Sequence, residues 1–318
     1  MMPVLLAGIP VLLGLLALYV VYRICFWQFR PGYTEERVEY YTPSGEAYEP
    51  YREVIEKGIH AVMDAKEYEM VEVISQDGLT LSGRYYHRKE GAPLVIFMHG
   101  YKGNFYRDGN GIFSFSRRYG FNVLLVHQRA HGCSEGKTIT FGIKERYDCK
   151  TWAEYAAGRF GADQKILISG LSMGAATVMM AADVGLPEQV KGIMADCGFS
   201  SPKEILCSVM ERLKLPSKLM YPMAKLAARL YGGFDLEEAS AVESLRNCTV
   251  PVLLIHGEGD DFVPSWMSVK CREACASDCR LLLVPGIGHG MSYCHGPREY
   301  EAEMERFFLK TLGVRPIS

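Results

Sequence analysis

"ISGLSMGAAT", residues 168–177, sets Ser172 between Gly170 and Gly174 at the junction of two unlike segments. A serine boxed by glycines also arises by chance, so its surroundings decide what it means. Upstream, "KILISGLS" (165–172) is a short, apolar, β-branched run that reads as a buried strand. Downstream, "MGAATVMMAAD" (173–183) reads as a helix. A sharp strand-to-helix turn built on G-x-S-x-G presents the serine hydroxyl at the top of a sheet. Gly170 and Gly174 admit that turn and let the helix approach closely. Free N–H groups and partial positive charge at the helix start suit a developing oxyanion.

The same alternation repeats along the chain. "PLVIFMHGY" (93–101), "NVLLVHQR" (122–129), "VKGIMADCG" (190–198), "PVLLIHGEGD" (251–260) and "RLLLVPGIGH" (280–289) are apolar runs, each followed by a helical or polar stretch. Continuous apolar strands separated by helices imply a parallel sheet covered on both faces. Ahead of them, "YEMVEVISQDGLTLSGRYYHR" (68–88) reads as a hairpin turning at Asp77-Gly78. The expected architecture is α/β, a mostly parallel sheet of about eight strands. A helical cap is expected at about residues 199–247, where Pro216 and Pro222 break the chain into short helices and Met220, Met223, Leu226 and Leu230 could line an acyl pocket.

A serine hydroxyl is a weak nucleophile without a base, and the base needs a carboxylate to fix its tautomer. On such sheets the chain order is Ser, then Asp or Glu, then His. The last strand ends at His289, and the strand before it ends at Asp260 and Asp261. Either aspartate satisfies the order.

With these residues in view, the chain resembles the α/β-hydrolase superfamily over residues 68–312, in the branch of serine aminopeptidase-like and monoacylglycerol-lipase-like hydrolases. More narrowly it looks like membrane-anchored bacterial members of that branch. "FMHGY", "HQRAHGCSEG", "GLSMGA", "IHGEGDDFVP" and "GIGHGMSY" match in order. The resemblance maps H-G-x-x-D-x-x-V-P onto His256, Gly257, Asp260, Val263 and Pro264, which selects Asp260 as the acid and leaves Asp261 as a turn residue capping the next helix. It maps the H-G pair after the third strand onto His99 and Gly100, so the backbone N–H groups of Tyr101 and Met173 become the oxyanion donors. The loop at 127–134 departs from the family's D-x-R-G-x-G-x-S: His127 takes the Asp position, Gln128 precedes Arg129, and "AHG" replaces the glycine-rich turn. Arg129 and Ser134 are expected to be structural hydrogen-bonders, and His131 a solvated loop residue.

The implied chemistry is acyl transfer through Ser172, His289 and Asp260, with no metal or organic cofactor. A small-molecule or lipid carboxylic ester is the expected substrate. A peptidase or acyltransferase would use the same triad, and a non-catalytic tethered binding module is the alternative from another class. With 35 basic and 37 acidic side chains there is no cationic excess to recommend a nucleic acid partner.

Residues 3–22, "PVLLAGIPVLLGLLALYVVY", carry no charge and have about the length, roughly 20 residues, that spans a bilayer. Arg23 and Arg30, among Tyr22, Phe26, Trp27 and Phe29, form an interfacial belt. No basic residue precedes the run and no small-x-small site follows, so a cleaved signal peptide fits less well. The expectation is a single-pass anchor at 1–30, a juxtamembrane linker and helix at 31–66, and a hydrolase domain at 67–318. Positive charge on the C-terminal side would put that domain in the cytoplasm, and ten cysteines in no framework spacing agree. Cys271, Cys275 and Cys279 fall at helical spacing, with Cys294 and His295 the nearest further ligands by sequence. They are read as packing thiols and not a zinc site.

Overall fold

The computed structural model of the chain describes residues 2–28, 46, 48–295 and 297–315. Strands β1 (Glu69–Ile74) and β2 (Thr80–Tyr86) form the expected hairpin, antiparallel with Ile74 opposite Thr80. Gly78 takes φ 86° in its turn, a conformation open to glycine at no steric cost. Six further strands follow: β3 (Leu94–Met98), β4 (Asn122–Val126), β5 (Ile166–Leu171), β6 (Val190–Asp196), β7 (Val252–Gly257) and β8 (Cys279–Val284). The eight form one sheet in the order β1-β2-β4-β3-β5-β6-β7-β8, parallel from β4 onward. Because β3 lies between β4 and β5, the connections leaving β3 and β5 run in opposite directions. That reversal opens a crevice at the carboxyl ends of β3 and β5.

The helices are α1 (Met2–Cys25), α2 (Arg52–Asp64), α3 (Phe105–Asp108), α4 (Asn110–Tyr119), α5 (Glu145–Phe160), α6 (Met173–Met180), α7 (Pro202–Arg212), α8 (Ser217–Ala227), α9 (Ala241–Leu245), α10 (Trp266–Ala274), α11 (Ser292–His295) and α12 (Pro297–Leu312). Two apolar layers cover the sheet. One joins Ile96, Leu124 and Ile168 to Trp152 of α5, the buried face of α6 and the cap helices. The other joins Val95, Phe97 and Leu167 to Ile59 of α2, Phe113 of α4 and Phe308 of α12.

The N-terminal segment differs from its expected role. Among the described residues, no helix is long and apolar enough to cross a membrane, so the single-pass anchor and the membrane side argued from it are withdrawn. The end of α1 is built into the body of the fold. Tyr22 and Phe26 are buried in the core, the Tyr22 hydroxyl bonds Thr138 at 2.6 Å, and Ile139 N–H donates to Phe26 O at 2.7 Å. Tyr231, just beyond α8, donates to the Leu15 carbonyl at 2.9 Å. Side chains read as an interfacial belt are here packing residues, Arg23 lying 4.6 Å over the Trp27 ring. Phe29, Arg30 and residues 31–45 lie outside the described residues.

Two smaller expectations also change. Pro216 starts α8, but Pro222 sits inside that helix without ending it. The cysteines do not share a helix face: α10 stops at Ala274, Cys275 is extended, and Cys279 opens β8.

Candidate active site

Ser172 stands at the turn between β5 and α6 with φ 55° and ψ −114°, a strained conformation for a residue with a side chain. Its N–H donates to the Asp196 carbonyl at the end of β6, 2.8 Å away, and fixes the turn. The flanking glycines are obligatory. A Cβ on Gly174 would drive into the Met98 carbonyl, and one on Gly170 into the backbone of Gly174. Close contact of β3, β5 and α6 therefore depends on both.

His289 follows β8 and reaches back across the strand ends. Its Nε2 lies 3.0 Å from Ser172 Oγ and its Nδ1 2.6 Å from Asp260 Oδ2. Asp260 is held in turn by the N–H groups of Phe262 (3.0 Å) and Val263 (2.8 Å), both on Oδ1. Hydrogen bonds from His256 and His289 hold the Asp260 carboxyl well below the usual range, although its burial acts the other way. Phe262 packs its ring 5.1 Å from that of His289, and Tyr48 donates to the His289 carbonyl at 3.4 Å. Asp261 points away: it is exposed and pairs with Arg212 at 3.0 Å, while the helix it was expected to cap, α10, has Ser265 at its N-cap and no side-chain cap.

The loop after β3 borders the same crevice. A Cβ on Gly100 would touch Ser172 Cβ at 3.5 Å, so the Tyr101 backbone lies beside the turn that carries Ser172. Gly100 N–H donates to the buried carboxylate of Asp108 at 2.8 Å, and Arg107 pairs with Asp108 at 2.5 Å. His99 accepts the Gln128 N–H on Nε2 at 3.2 Å, and Gln128 also donates its amide to the His99 carbonyl. Thr177 of α6 donates to Gln128 Oε1 at 3.4 Å, tying the loop after β3 to the helix behind Ser172.

The departures at 127–134 have physical reasons. Arg129 is buried and grips Asp148 through Nε (2.6 Å) and Nη2 (2.7 Å), and Asp77 of the hairpin turn at 2.9 and 3.0 Å. Ser134 bridges the Ser82 N–H and the His127 carbonyl. Ala130 stands at φ 63°, and Gly132 faces the His127 ring with no room for a Cβ. His131 is not solvated: it is buried, its ring 4.6 Å from His99. Asp108 and Gln128 carry no motif of their own, and only their polarity in a segment approaching strand ends marks them.

A cavity of about 790 Å³ opens at Ser172 and His289. It is walled by Tyr48, Arg107, Asn110 and Tyr293, with Arg212 and Asp261 at one side and Asp196 and Met194 deeper in. None of Met220, Met223, Leu226 and Leu230 lines it, and Leu226 and Leu230 face solvent. Among the described residues one group brings metal-binding atoms together, Cys197 with Asp260 and His289. Burial pushes the Cys197 thiol well up, so it presents a neutral sulfur and not a thiolate.

The uncharacterized protein YqkD of Bacillus subtilis is 29% identical over 189 residues, 59% of this chain and 62% of that protein, so the chain spans less than two thirds of that relative. The uncharacterized protein YfhR of Escherichia coli K12 is 25% identical over 77% of this chain and 82% of its own. In fold, the chain is similar to the Pyrococcus furiosus esterase Pf2001, with TM-score 0.64 and 24% identity over 77% of this chain and 91% of that one. Est1E of Butyrivibrio proteoclasticus, solved with ferulic acid, gives TM-score 0.57 and 21% identity over 76% and 99%. The model of the prolyl oligopeptidase family matches residues 120–315, more than half of the chain. The chain is an α/β-hydrolase and belongs to the prolyl oligopeptidase family.

Proposed function

We propose that this serine hydrolase cleaves small carboxylic esters through Ser172, His289 and Asp260. One observation carries the reading: His289 spans Ser172 Oγ at 3.0 Å and Asp260 Oδ2 at 2.6 Å at the wall of a cavity. His289 Nδ1–H donates to Asp260, which leaves Nε2 free to accept the serine proton. Ser172 attacks the ester carbonyl as His289 takes that proton. Backbone N–H groups of Tyr101 and Met173 bind the oxyanion, each on the order of 3 kcal/mol to the transition state. His289 returns the proton to the departing alkoxide and the acyl-enzyme remains. Water then attacks with His289 as base, the acid is released, and Ser172 regains its proton.

The cap leucines and methionines do not face the cavity, and arginines on Asp108 and Asp261 give it a polar rim. Both features favour short or polar acyl groups over long alkyl chains. Amide cleavage is the second reading, favoured by the family match. A matched pair of p-nitrophenyl esters and aminoacyl p-nitroanilides tests the choice. Faster ester turnover with a pre-steady-state burst of p-nitrophenol is expected; faster anilide turnover would reverse it.

A further inference from the structure

In the mechanism above Tyr101 contributes only its N–H, yet its side chain is clamped, and the clamp leads to α1. The last carbonyls of a helix have no intrahelical partner and must find donors elsewhere. At the end of α1 the donors come from the loop after β3. Tyr101 Oη donates to Cys25 O at 2.8 Å and lies 3.5 Å from Ile24 O, while Lys102 Nζ donates to Ile24 O at 3.0 Å. A cation there also suits the negative end of the helix dipole. The Tyr101 ring packs 5.1 Å from Phe141, and Phe141 packs 5.8 Å from Phe26, directly after the helix. Lys102 holds φ 49°, so the loop carries local strain that surrounding contacts must sustain. On its other flank the loop is fixed by Gly100 N–H on Asp108 at 2.8 Å.

We propose that Tyr101 and Lys102 are positioning residues, and that α1, through its Ile24 and Cys25 carbonyls, is the fixed edge against which the oxyanion loop is set. The proposal rests on the hydrolase reading. In that reading, releasing the edge leaves substrate binding intact and misplaces the Tyr101 N–H only when charge develops on the substrate oxygen. Deleting an oxyanion donor outright costs about 10²–10³-fold in kcat, so a loosened one loses part of that.

The test uses the full chain carrying Tyr101→Phe, Lys102→Met or Lys102→Arg. Turnover of a p-nitrophenyl ester is measured beside backbone amide exchange in residues 99–103. Tyr101→Phe and Lys102→Met are expected to lower kcat about 5- to 20-fold, leave KM within about twofold, and speed exchange in the loop. Lys102→Arg, which can still donate to Ile24 O, is expected to restore most of the rate. Unchanged loop exchange in both loss variants would overturn the proposal, as would a kcat equal to that of an active wild type or a loss borne wholly by KM. If Tyr101→Phe fails to fold, Lys102→Met, at a half-buried site, carries the test. Failure of the hydrolase reading is distinguishable, since it appears as an inactive wild type while exchange still reports on the loop.

Discussion

Two histidines meet the carboxylate of Asp260, and their surroundings part them. His256, at the end of β7, is fully buried: Nδ1 lies 2.6 Å from Ser268 Oγ, and Nε2 lies 2.8 Å from Val263 O and 3.3 Å from Asp260 Oδ2. Val263 O can only accept, so Nε2 carries the proton and Nδ1 accepts from Ser268. Every ring nitrogen is occupied. His289, on the loop after β8, spends one nitrogen on Asp260 and turns the other toward Ser172 at the cavity. The same pair of side chains can brace a turn or face a cavity; His256 meets a buried serine, whereas His289 meets one at the cavity wall.

The largest effect that would break this comparison falls on His289. Replacing it with alanine is expected to lower kcat by about 10⁵- to 10⁶-fold, with an unfolding midpoint in urea close to the wild type's. A variant that still turned over at a tenth of the wild-type rate would remove His289 as the base. Asp260→Asn comes next, at about 10⁴-fold in kcat, because an amide no longer fixes the tautomer that leaves Nε2 free. Steady-state kinetics at saturating ester reads it, and a loss under tenfold would mean that the carboxylate is dispensable.

His256→Ala sharpens the comparison from the other side. It empties a fully buried site and strands Ser268 and Val263 O, so about 2–4 kcal/mol of stability is expected to go. Its folded fraction should keep kcat within about 30-fold of wild type. Denaturant melts beside kinetics separate the two, and an intact melt with lost turnover would give His256 a catalytic part.

Asp196 gives the smallest effect and the one with a pH signature. Burial pushes its carboxyl up to about 6, and Ser292, at the start of α11, donates to it at 3.2 Å. An unfolded aspartate titrates near about 3.9. The folded state therefore holds a proton that the unfolded chain has released, and stability from this group is full below about pH 4 and lost as pH rises through about 6. Asp196→Asn cannot ionise. It should match wild type near pH 4 and exceed it at pH 7 by on the order of 2 kcal/mol. A difference independent of pH would assign the shift elsewhere.

What was legible in the sequence follows the range of the interaction. The sheet could be read because each strand is a local apolar run, and Ser172, Asp260 and His289 because each ends such a run in a fixed chain order. Two hydrogen bonds that set the loop after β3 join residues far apart in sequence: Gln128 to His99 and Tyr101 to Cys25. Nothing local announces them. The α1 segment misleads for a different reason. Apolar residues at helical spacing look alike whether they meet lipid or protein, and contacts from residues distant in sequence, Tyr101, Thr138 and Phe141 among them, show that its end meets protein. The cysteine spacing fails because the helix ends at Ala274 and a bend at Ala276-Ser277 leads into the strand that opens at Cys279.

The central claim is that Ser172 is an activated nucleophile, and a fluorophosphonate read by intact mass and peptide mapping tests it most directly. Wild-type protein is expected to gain one phosphonyl adduct, mapped to Ser172, and Ser172→Ala and His289→Ala to gain none while circular dichroism reports an intact fold. A folded wild type that takes no adduct, or an adduct mapped to another residue, would contradict the account.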